Sequence, residues 1–346
     1  MYNKLSILVI TPYHMNPPHP RILKEREILE KNGFKVDILH PPKGKGILSR
    51  NLYLKREMEK FIVMYDYFVI YDMLTLLFLI NDIKTATKKK IIYEIIDIFP
   101  YYYSYKITKN SIISYPVKQL LVKIEDLIVR RYVSKAIVNS WFLYKRFKKI
   151  KKEVSYIPYT SPFEKKEFNN NPNLPPAFIY IGQFSLEKGA EQIIKLALEF
   201  NNFPIFVIGD YCYKLNKDSL PQNVRFYPRT STKNLFNLLF DFSQKHFLYG
   251  LSLITGKNKS FFYQEANKDI DYLSLGIPII GNERPPTYEK IKLGGGLLYT
   301  DLSPQILFNK SLKRKLKEKA LEIYEKYYSN YIFEKKLLSI FKNDQD

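Results

Sequence analysis

Leu5-Ser-Ile-Leu-Val-Ile10, Arg21-Ile-Leu-Lys-Glu-Arg-Glu-Ile-Leu-Glu-Lys31, Asn32-Gly33 and Phe34-Lys-Val-Asp-Ile-Leu39 follow one another near the start of the chain. The first segment is short, apolar and rich in branched side chains, which suits a buried strand. The second carries apolar residues at Ile22, Leu23, Ile28 and Leu29, which share one side of a helix, and Asn32-Gly33 stops it. The third reads as another strand. Strand, helix and strand in this order make a βαβ unit, and such units build parallel sheets with helices on their faces.

Outward from this unit the pattern recurs. Strands are expected over 61–71, 90–96 and 136–140, with helical patterns over 117–132 and 141–150. Five prolines between Pro158 and Pro176, together with Asn169-Asn-Asn171, mark a linker. The alternation then restarts with a strand over 177–181, a helix over 187–200 and a strand over 204–208. Short strands are expected over 224–227, 249–253 and 277–280, and a charged helical tract over 311–341, broken near Tyr328, closes the chain. The expected fold is α/β, with two Rossmann-like doubly wound domains facing across a cleft. The first spans 1–160, the linker 161–176 and the second 177–310, and the helices of 311–346 are expected to cross back to the first domain. Ligands of such sheets bind beyond the carboxyl ends of the strands.

Composition narrows the class. With 46% hydrophobic residues in 346, the chain supports two cores and is not a disordered polymer. No apolar run approaches the roughly 18 residues of a membrane span, and the stretch 5–10 is too short for a secretory signal. The lone Cys212 forms no internal disulfide, and a cytoplasmic location is expected. His14, His19, His40 and His246 lack metal-ligand spacing. Neither a P-loop, a G-x-S-x-G elbow nor a G-x-G-x-x-G turn occurs, which argues against P-loop NTPases, α/β-hydrolases and standard dinucleotide dehydrogenases.

The net charge of +21 is uneven: residues 1–160 hold 29 basic and 14 acidic residues. A lysine-rich composition also arises from AT-rich coding sequence. One cluster stands out. In Trp141-Phe-Leu-Tyr-Lys-Arg-Phe-Lys-Lys-Ile-Lys-Lys152, aromatic residues lead six cations, Lys145, Arg146, Lys148, Lys149, Lys151 and Lys152. With Lys88-Lys-Lys90 and the stretch 43–60, it is the candidate contact for an anionic membrane surface, with the protein peripheral on the inner face of the cell membrane. The apolar side of the same helix equally suits packing on a sheet. No nucleic-acid partner is expected, since no recognised binding motif accompanies the charge.

Three segments sit where ligands of such sheets bind. Gly182-Gln-Phe-Ser-Leu-Glu-Lys188-Gly189 joins a strand end to a helix start, and a lysine beside free N–H groups suits a diphosphate. An ordinary βα turn with a solvated lysine reads the same way. Asn267-Lys268-Asp269-Ile270-Asp271-Tyr272-Leu273-Ser274-Leu275-Gly276-Ile277-Pro278-Ile279-Ile280 gives a short helix, a glycine stop and a strand. Its D-x-D triplet opens a helix, where acidic residues favour the dipole without any metal. Asp97, after the strand 90–96, is a candidate to accept a proton or hydrogen bond from an acceptor hydroxyl, or to serve as a turn residue.

Together these segments resemble glycosyltransferase family 4, a retaining family of GT-B fold. Gly182 to Gly189 is similar to its G-x5-K-G, and Asn267 to Ile280 to its P-x-K-x-x-E-Y-x-x-x-G-x-P-V-V. Pro285 to Ile291 followed by Gly294-Gly-Gly resembles its glutamate before a glycine-rich turn, here Glu289. Arg21 to Val36 and Ala320 to Phe341 resemble its first helix with the second strand and its closing helices. The resemblance covers nearly the whole chain. It departs at His14-Met-Asn-Pro-Pro-His-Pro20 in place of a Gly-Gly loop and at Gln183 in place of arginine. Asp271 stands for the second paired glutamate, and Tyr263 with Glu265 nearby for the first.

The resemblance implies a nucleoside-diphosphate sugar as donor, with Lys188, Gly182 and Gln183 on the diphosphate and Asp271 on the ribose. Glu265, Lys268 and Glu289 would contribute to the donor side. Asp97 would lie by the acceptor hydroxyl, with His14, His19 and Arg21 on the acceptor-side loop. Same-face transfer with retention is implied, onto a glycan or lipid-linked acceptor in cell-surface polysaccharide or glycolipid synthesis, without a metal or cofactor. The alternatives are a GT-B nucleotide-sugar 2-epimerase and, from another class, a basic nucleic-acid-binding protein.

Overall fold

The structure is a computed structural model and describes residues 5–342 except 16–18, 45, 87–89, 109–110, 165–166, 214–215, 217–218 and 255–258. Lys88, Lys89 and Lys45 of the basic stretches, and the Asn16-Pro17-Pro18 part of the first loop, therefore lie outside the described residues. The chain divides into two compact units, residues 1–158 with 334–346, and residues 159–333.

The first unit holds strands β1 (Ser6–Ile10), β2 (Lys35–Leu39), β3 (Tyr67–Tyr71), β4 (Lys90–Ile95), β5 (Lys135–Val138) and β6 (Val154–Tyr156). All pair in parallel, in the order β2-β1-β3-β4-β5-β6. Its helices are α1 (Pro20–Lys31), α2 (Ile47–Glu59), α3 (Met73–Ala86), α4 (Phe99–Thr108), α5 (Ser111–Tyr132) and α6 (Trp141–Lys148). The order reverses between β1 and β3, which makes that position the switch point of the sheet. The strand expected over 61–71 starts only at Tyr67. Its first residues turn back on the end of α2, where the amides of Phe61 and Met64 donate to Met58 and Phe61 carbonyls.

Arg21 is a correction to the sequence reading. It lies on α1 and is 7% exposed, too enclosed to serve an acceptor-side loop. Its Nε lies 2.6 Å from Glu94 Oε1 and 2.9 Å from Glu25 Oε1, and its NH1 donates to the Ile157 carbonyl at 3.1 Å. Tyr71 donates its hydroxyl to Glu25. Burial works against the guanidinium charge, but Glu94 and Glu25 outweigh it and hold Arg21 protonated. This enclosed network ties α1 to β3, β4 and the chain after β6. Breaking such a pair costs about 3–5 kcal/mol because a buried charge loses its partner.

The second unit holds β7 (Pro176–Ile181), β8 (Ile205–Gly209), β9 (Val224–Pro228), β10 (Phe247–Ser252), β11 (Ile279–Gly281) and β12 (Gly296–Leu298). They are all parallel, in the order β12-β11-β10-β7-β8-β9. Counted from its own first strand, that is the dinucleotide-fold order, reversing between β7 and β10. Its helices are α7 (Ala190–Glu199), α8 (Thr232–Ser243), α9 (Lys259–Tyr263), α10 (Asn267–Ser274), α11 (Pro285–Lys290), α12 (Pro304–Phe308) and α13 (Lys310–Tyr327), and only the first turn of α14 (Asn330–Lys342) lies in it. Successive strand residues feed opposite cores. Phe178, Tyr180, Ile205 and Val207 pack with Ile193, Leu196 and Ala197 of α7. Ala177, Ile179, Phe206 and Ile208 pack with Leu239, Ile270, Leu273 and Ile323 of the other helices. With helices on both faces, the strands read as continuous apolar runs rather than alternating ones.

The closing tract is divided between the units. α13 puts Ala320, Ile323 and Tyr324 into the second core. From Glu334 on, α14 belongs to the first unit, where Phe341 lies 5.6 Å from the Phe34 ring and 5.3 Å from that of Tyr67. Among the described residues no helix is long and apolar enough to cross a membrane.

Candidate functional site

A pocket of about 250 Å³ opens at the carboxyl ends of β7 and β10, the two strands that flank the second switch point. Gly182, Gln183, Lys188, Phe261, Glu265 and Lys268 are among its lining residues. The sequence pointed to five of these six; Phe261 is new.

Two glycines set the geometry. Gly189 has a left-handed backbone, φ 94°, and a Cβ there would lie 2.0 Å from the Leu253 carbonyl oxygen. The turn after β7 is thereby pressed against the chain leaving β10. The helix expected over 187–200 starts at Ala190 instead, because Gly189 interrupts it. Lys188 ends a separate 3-10 turn, Leu186–Lys188. At Gly250 of β10, a Cβ would meet the Tyr272 ring at 2.3 Å. Tyr272 of α10 lies flat there, accepts the Ile181 amide at 3.0 Å and donates to the Ile179 carbonyl at 3.2 Å. These contacts fix α10, and the Lys268 it carries, at the end of β7. The amide of Gly182 donates to the Ile208 carbonyl at 2.9 Å, so it is used within the fold and is not free for an anion.

The pocket is rich in cations. Lys188 Nζ lies 3.4 Å from the centroid of the Phe261 ring, and Lys268 Nζ lies 3.9 Å from that of Tyr180. Burial pushes the Lys268 amine down to about 7; Asp269 opposes the shift, and Arg284 and Lys188 add to it. Glu265 lines the pocket, but Lys290 holds its carboxylate, and burial raises that carboxyl above the usual range. Asp269 is fully buried and accepts from Arg284 at 3.2 Å and from Thr287 at 2.6 Å. Burial pushes its carboxyl up, but Arg284, Lys290 and the hydroxyls outweigh this and hold it below its ordinary value. Arg284 also donates to the Gln264 carbonyl at 2.5 Å, which fixes the chain between α9 and α10. The part Arg284 and Lys290 play here is not legible in the sequence, since both read as surface residues around a loop.

No family model matches the sequence, and no curated protein sequence is significantly similar to it. Solved structures are similar in fold. A glycosyltransferase from Rickettsia africae superposes with a TM-score of 0.64 at 14% identity, over 99% of both chains. Anabaena HepE, in complex with UDP and glucose, gives 0.62 at 13%, over 97% of this chain and 99% of its own. A Listeria monocytogenes protein described as a UDP-N-acetylglucosamine 2-epimerase gives 0.59 at 10%, over 99% and 98%. This chain has the GT-B fold.

The remaining expected donor-side residues of the GT-B chain lie off the pocket wall. Asp271 sits one turn along α10 and faces Ser161 and Tyr159 rather than the pocket. Glu289 is exposed on α11. The D-x-D carboxylates thus point to different neighbours, one to Arg284 and the other to Ser161. Among the described residues no group of three or more acidic, histidine or cysteine side chains is placed to hold a metal ion.

In the first unit, Asp97 is half-buried just after β4. His14 follows β1, and His19 precedes α1 and stacks on Tyr13 with ring centroids 5.6 Å apart. The structure adds Asp72, which the sequence reading missed. Among the described residues it is the one non-glycine with a left-handed backbone, φ 79°. It is 1% exposed, accepts the Tyr103 hydroxyl at 2.8 Å, and burial raises its carboxyl to about 6. Tyr13 stands near both aspartates; burial, Asp97 and Asp72 all raise its phenol. A strained, buried carboxylate beside a switch point is the kind of feature that functional sites carry.

The α6 segment splits in two. Lys145, Lys148, Lys149 and Lys152 are exposed and Lys151 is half-buried. Arg146, expected among the membrane contacts, is instead held at 2.6 Å from Glu125 and 2.5 Å from Asp126. Leu143 and Phe147 are buried, and Trp141 stacks on Tyr144 at 4.8 Å. The aromatic lead of the segment therefore packs within the unit.

Asp271 yields a test by pH. Burial lifts its carboxyl to about 7, whereas an unfolded aspartate titrates near 3.9. The folded chain therefore binds this proton more tightly, and ionising Asp271 in place costs stability as pH rises from about 4 to 7. Asp271→Asn is expected to melt near the wild-type temperature at about pH 4 and above it at about pH 8. A melting difference that is the same at both pH values would show that Asp271 titrates as an ordinary surface carboxylate.

Proposed function

We propose that this protein is a glycosyltransferase that takes a nucleoside-diphosphate sugar in the second unit and transfers the sugar to a glycan or lipid-linked acceptor. The observation that carries the reading is the pairing of Lys188 and Lys268 in one pocket at the β7–β10 switch point of a GT-B fold. The hard step is departure of the diphosphate, whose oxygens gain charge as the bond to the sugar breaks. Two ammonium groups and the amino end of α10 stabilise that charge. These groups supply the stabilisation without a metal ion, and a same-face mechanism with retention fits them because no protein nucleophile is called for. Asp97 and the Tyr13–Asp72–Tyr103 cluster belong to the acceptor side, where a carboxylate takes the hydrogen bond or proton of the attacking hydroxyl.

The UDP and glucose in the HepE complex support this donor class. The Listeria likeness makes the epimerase reading its rival. Turnover separates them: the transferase moves label from a nucleotide-sugar to an acceptor, while an epimerase converts the sugar with no acceptor present. With transfer measured from radiolabelled nucleotide-sugars into a membrane and glycan extract, Lys188→Ala is expected to lose about 2–4 kcal/mol of transition-state stabilisation, roughly 30- to 1000-fold in rate. Undiminished transfer at donor saturation would remove Lys188 from the reaction.

The reading extends to cell-surface polysaccharide or glycolipid synthesis at the inner face of the cell membrane. The exposed lysines on and just after α6 and the basic excess of residues 1–160 favour an anionic surface, each lysine contributing about 1 kcal/mol there. Co-sedimentation with vesicles is expected to rise with phosphatidylglycerol content and to fall with salt. Changing Lys145, Lys148, Lys149 and Lys152 to Gln is expected to weaken it without unfolding, because Arg146, which is tied to α5, is left in place. Pelleting that ignores lipid charge would contradict the docking.

A further inference from the structure

Helix α5 carries large apolar side chains on the side turned away from its core. Glu125, Ile128 and Val129 face inward and are buried. On the opposite side Leu120, Lys123 and Leu127 follow at steps of three and four, and Arg130 and Arg131 continue the stripe. All five are exposed. Leu120 is 58% and Leu127 61% exposed, so each keeps more than half of its surface in water. α6 lies beside this helix, tied by Arg146 to Glu125 and Asp126. The steps from β4 to β5 and from β5 to β6 run the same way across a parallel sheet, which puts α5 and α6 on one face of it. Leu143 and Phe147 of α6 turn inward, so Lys145, Lys148 and Lys149 are presented on the same side as the α5 stripe. Among the described residues of both helices no acid is exposed.

We propose that this stripe is where the first unit enters a lipid leaflet, with Leu120 and Leu127 reaching the acyl boundary and Lys123, Arg130, Arg131 and the α6 lysines held on anionic headgroups. This rests on the membrane docking proposed above and adds to it the segment that enters the hydrocarbon. A leaflet satisfies both parts of the stripe. Long cationic side chains reach up to the headgroups while their neighbours bury apolar surface below. A second copy of this chain fits poorly. A two-fold interface sets a patch against itself, so Lys123, Arg130 and Arg131 would meet the same cations. A nucleic acid would satisfy the cations and leave the leucines in water.

The test is co-sedimentation of the full chain with mixed phosphatidylglycerol and phosphatidylcholine vesicles, at low salt and at about 0.5 M salt, where exposed charges are strongly screened. The wild type is expected to lose part of its binding with salt and to keep the rest. Leu120→Ser combined with Leu127→Ser is expected to melt at the wild-type temperature, because both side chains are exposed. At high salt this double variant is expected to bind about tenfold or more weakly than the wild type. Leu127→Trp gives a second readout. Lipids brominated on the acyl chain are expected to quench it beyond the wild type, whose one tryptophan, Trp141, stacks on Tyr144. Wild-type binding by the leucine variant at both salts, or no added quenching in vesicle-bound Leu127→Trp, would overturn the insertion and leave the lysine docking standing. A wild-type dimer that the leucine substitutions dissociate would assign the stripe to a second copy and overturn it as well. No pelleting of the wild type at any phosphatidylglycerol content would overturn docking and insertion together, while transfer from a nucleotide-sugar is measured separately.

Discussion

Tyr272 lying on Gly250 is the contact on which the site depends. A side chain at position 250 would occupy the space of the ring, so glycine lets α10 settle directly on β10. The phenol then takes the Ile181 amide and gives its proton to the Ile179 carbonyl, closing β7 with a side chain where a further strand residue would otherwise pair. This pins α10 to the end of β7. Lys268 is carried there by one helix and Lys188 by the turn that Gly189 presses against Leu253. Two cations at a switch point follow from two glycines and one tyrosine. The lysines are the chemistry, and these three residues aim them.

The sequence made the architecture legible because both sheets are covered on both faces. The runs 177–181 and 204–208 are apolar throughout, and their β-type spacing needs no partner to be recognised. β6 and β12, three residues each, escaped, and the lead-in to β3 misled because an apolar run can also be a turn with Val63 and Met64 exposed. At the site, Gly182 and Lys188 were read from their places after a strand and Gln183, Glu265 and Lys268 through the resemblance, and the structure gathers them on one wall. Asp271 and Glu289 were also assigned by resemblance, and the structure does not bring them to that wall. Asp271 is a methylene shorter than the glutamate of the pattern and turns to Ser161, while Glu289 stays on the outside of α11.

What sequence could not convey is which charges are already paired. Arg21, Arg146, Arg284 and Lys290 look like the other cations in a string of letters. Yet each is folded against carboxylates: Glu94 and Glu25, Glu125 and Asp126, Asp269, and Glu265. Apart from Arg21–Glu25, one turn apart on α1, such pairs join residues 15 to 73 positions away, which no local pattern records. Subtracting them separates scaffold from function. Lys188 and Lys268 line the donor pocket, and the exposed cations near α6 are lysines. The same subtraction reverses the view of the first unit, where Arg21 belongs to the scaffold, and Asp72, invisible in sequence, stands out through its left-handed backbone.

Donor use by this chain requires a nucleoside diphosphate to bind on Lys188 and Lys268. Thermal unfolding of the wild-type chain against a panel of nucleotide-sugars and nucleoside diphosphates measures this directly, because a ligand of the folded state raises the melting temperature with its concentration. A rise is expected with at least one nucleotide and its sugar conjugate, and it is expected to be lost in Lys188→Met combined with Lys268→Met. A panel without any rise, or a rise that the double variant keeps in full, would contradict donor use on these two lysines.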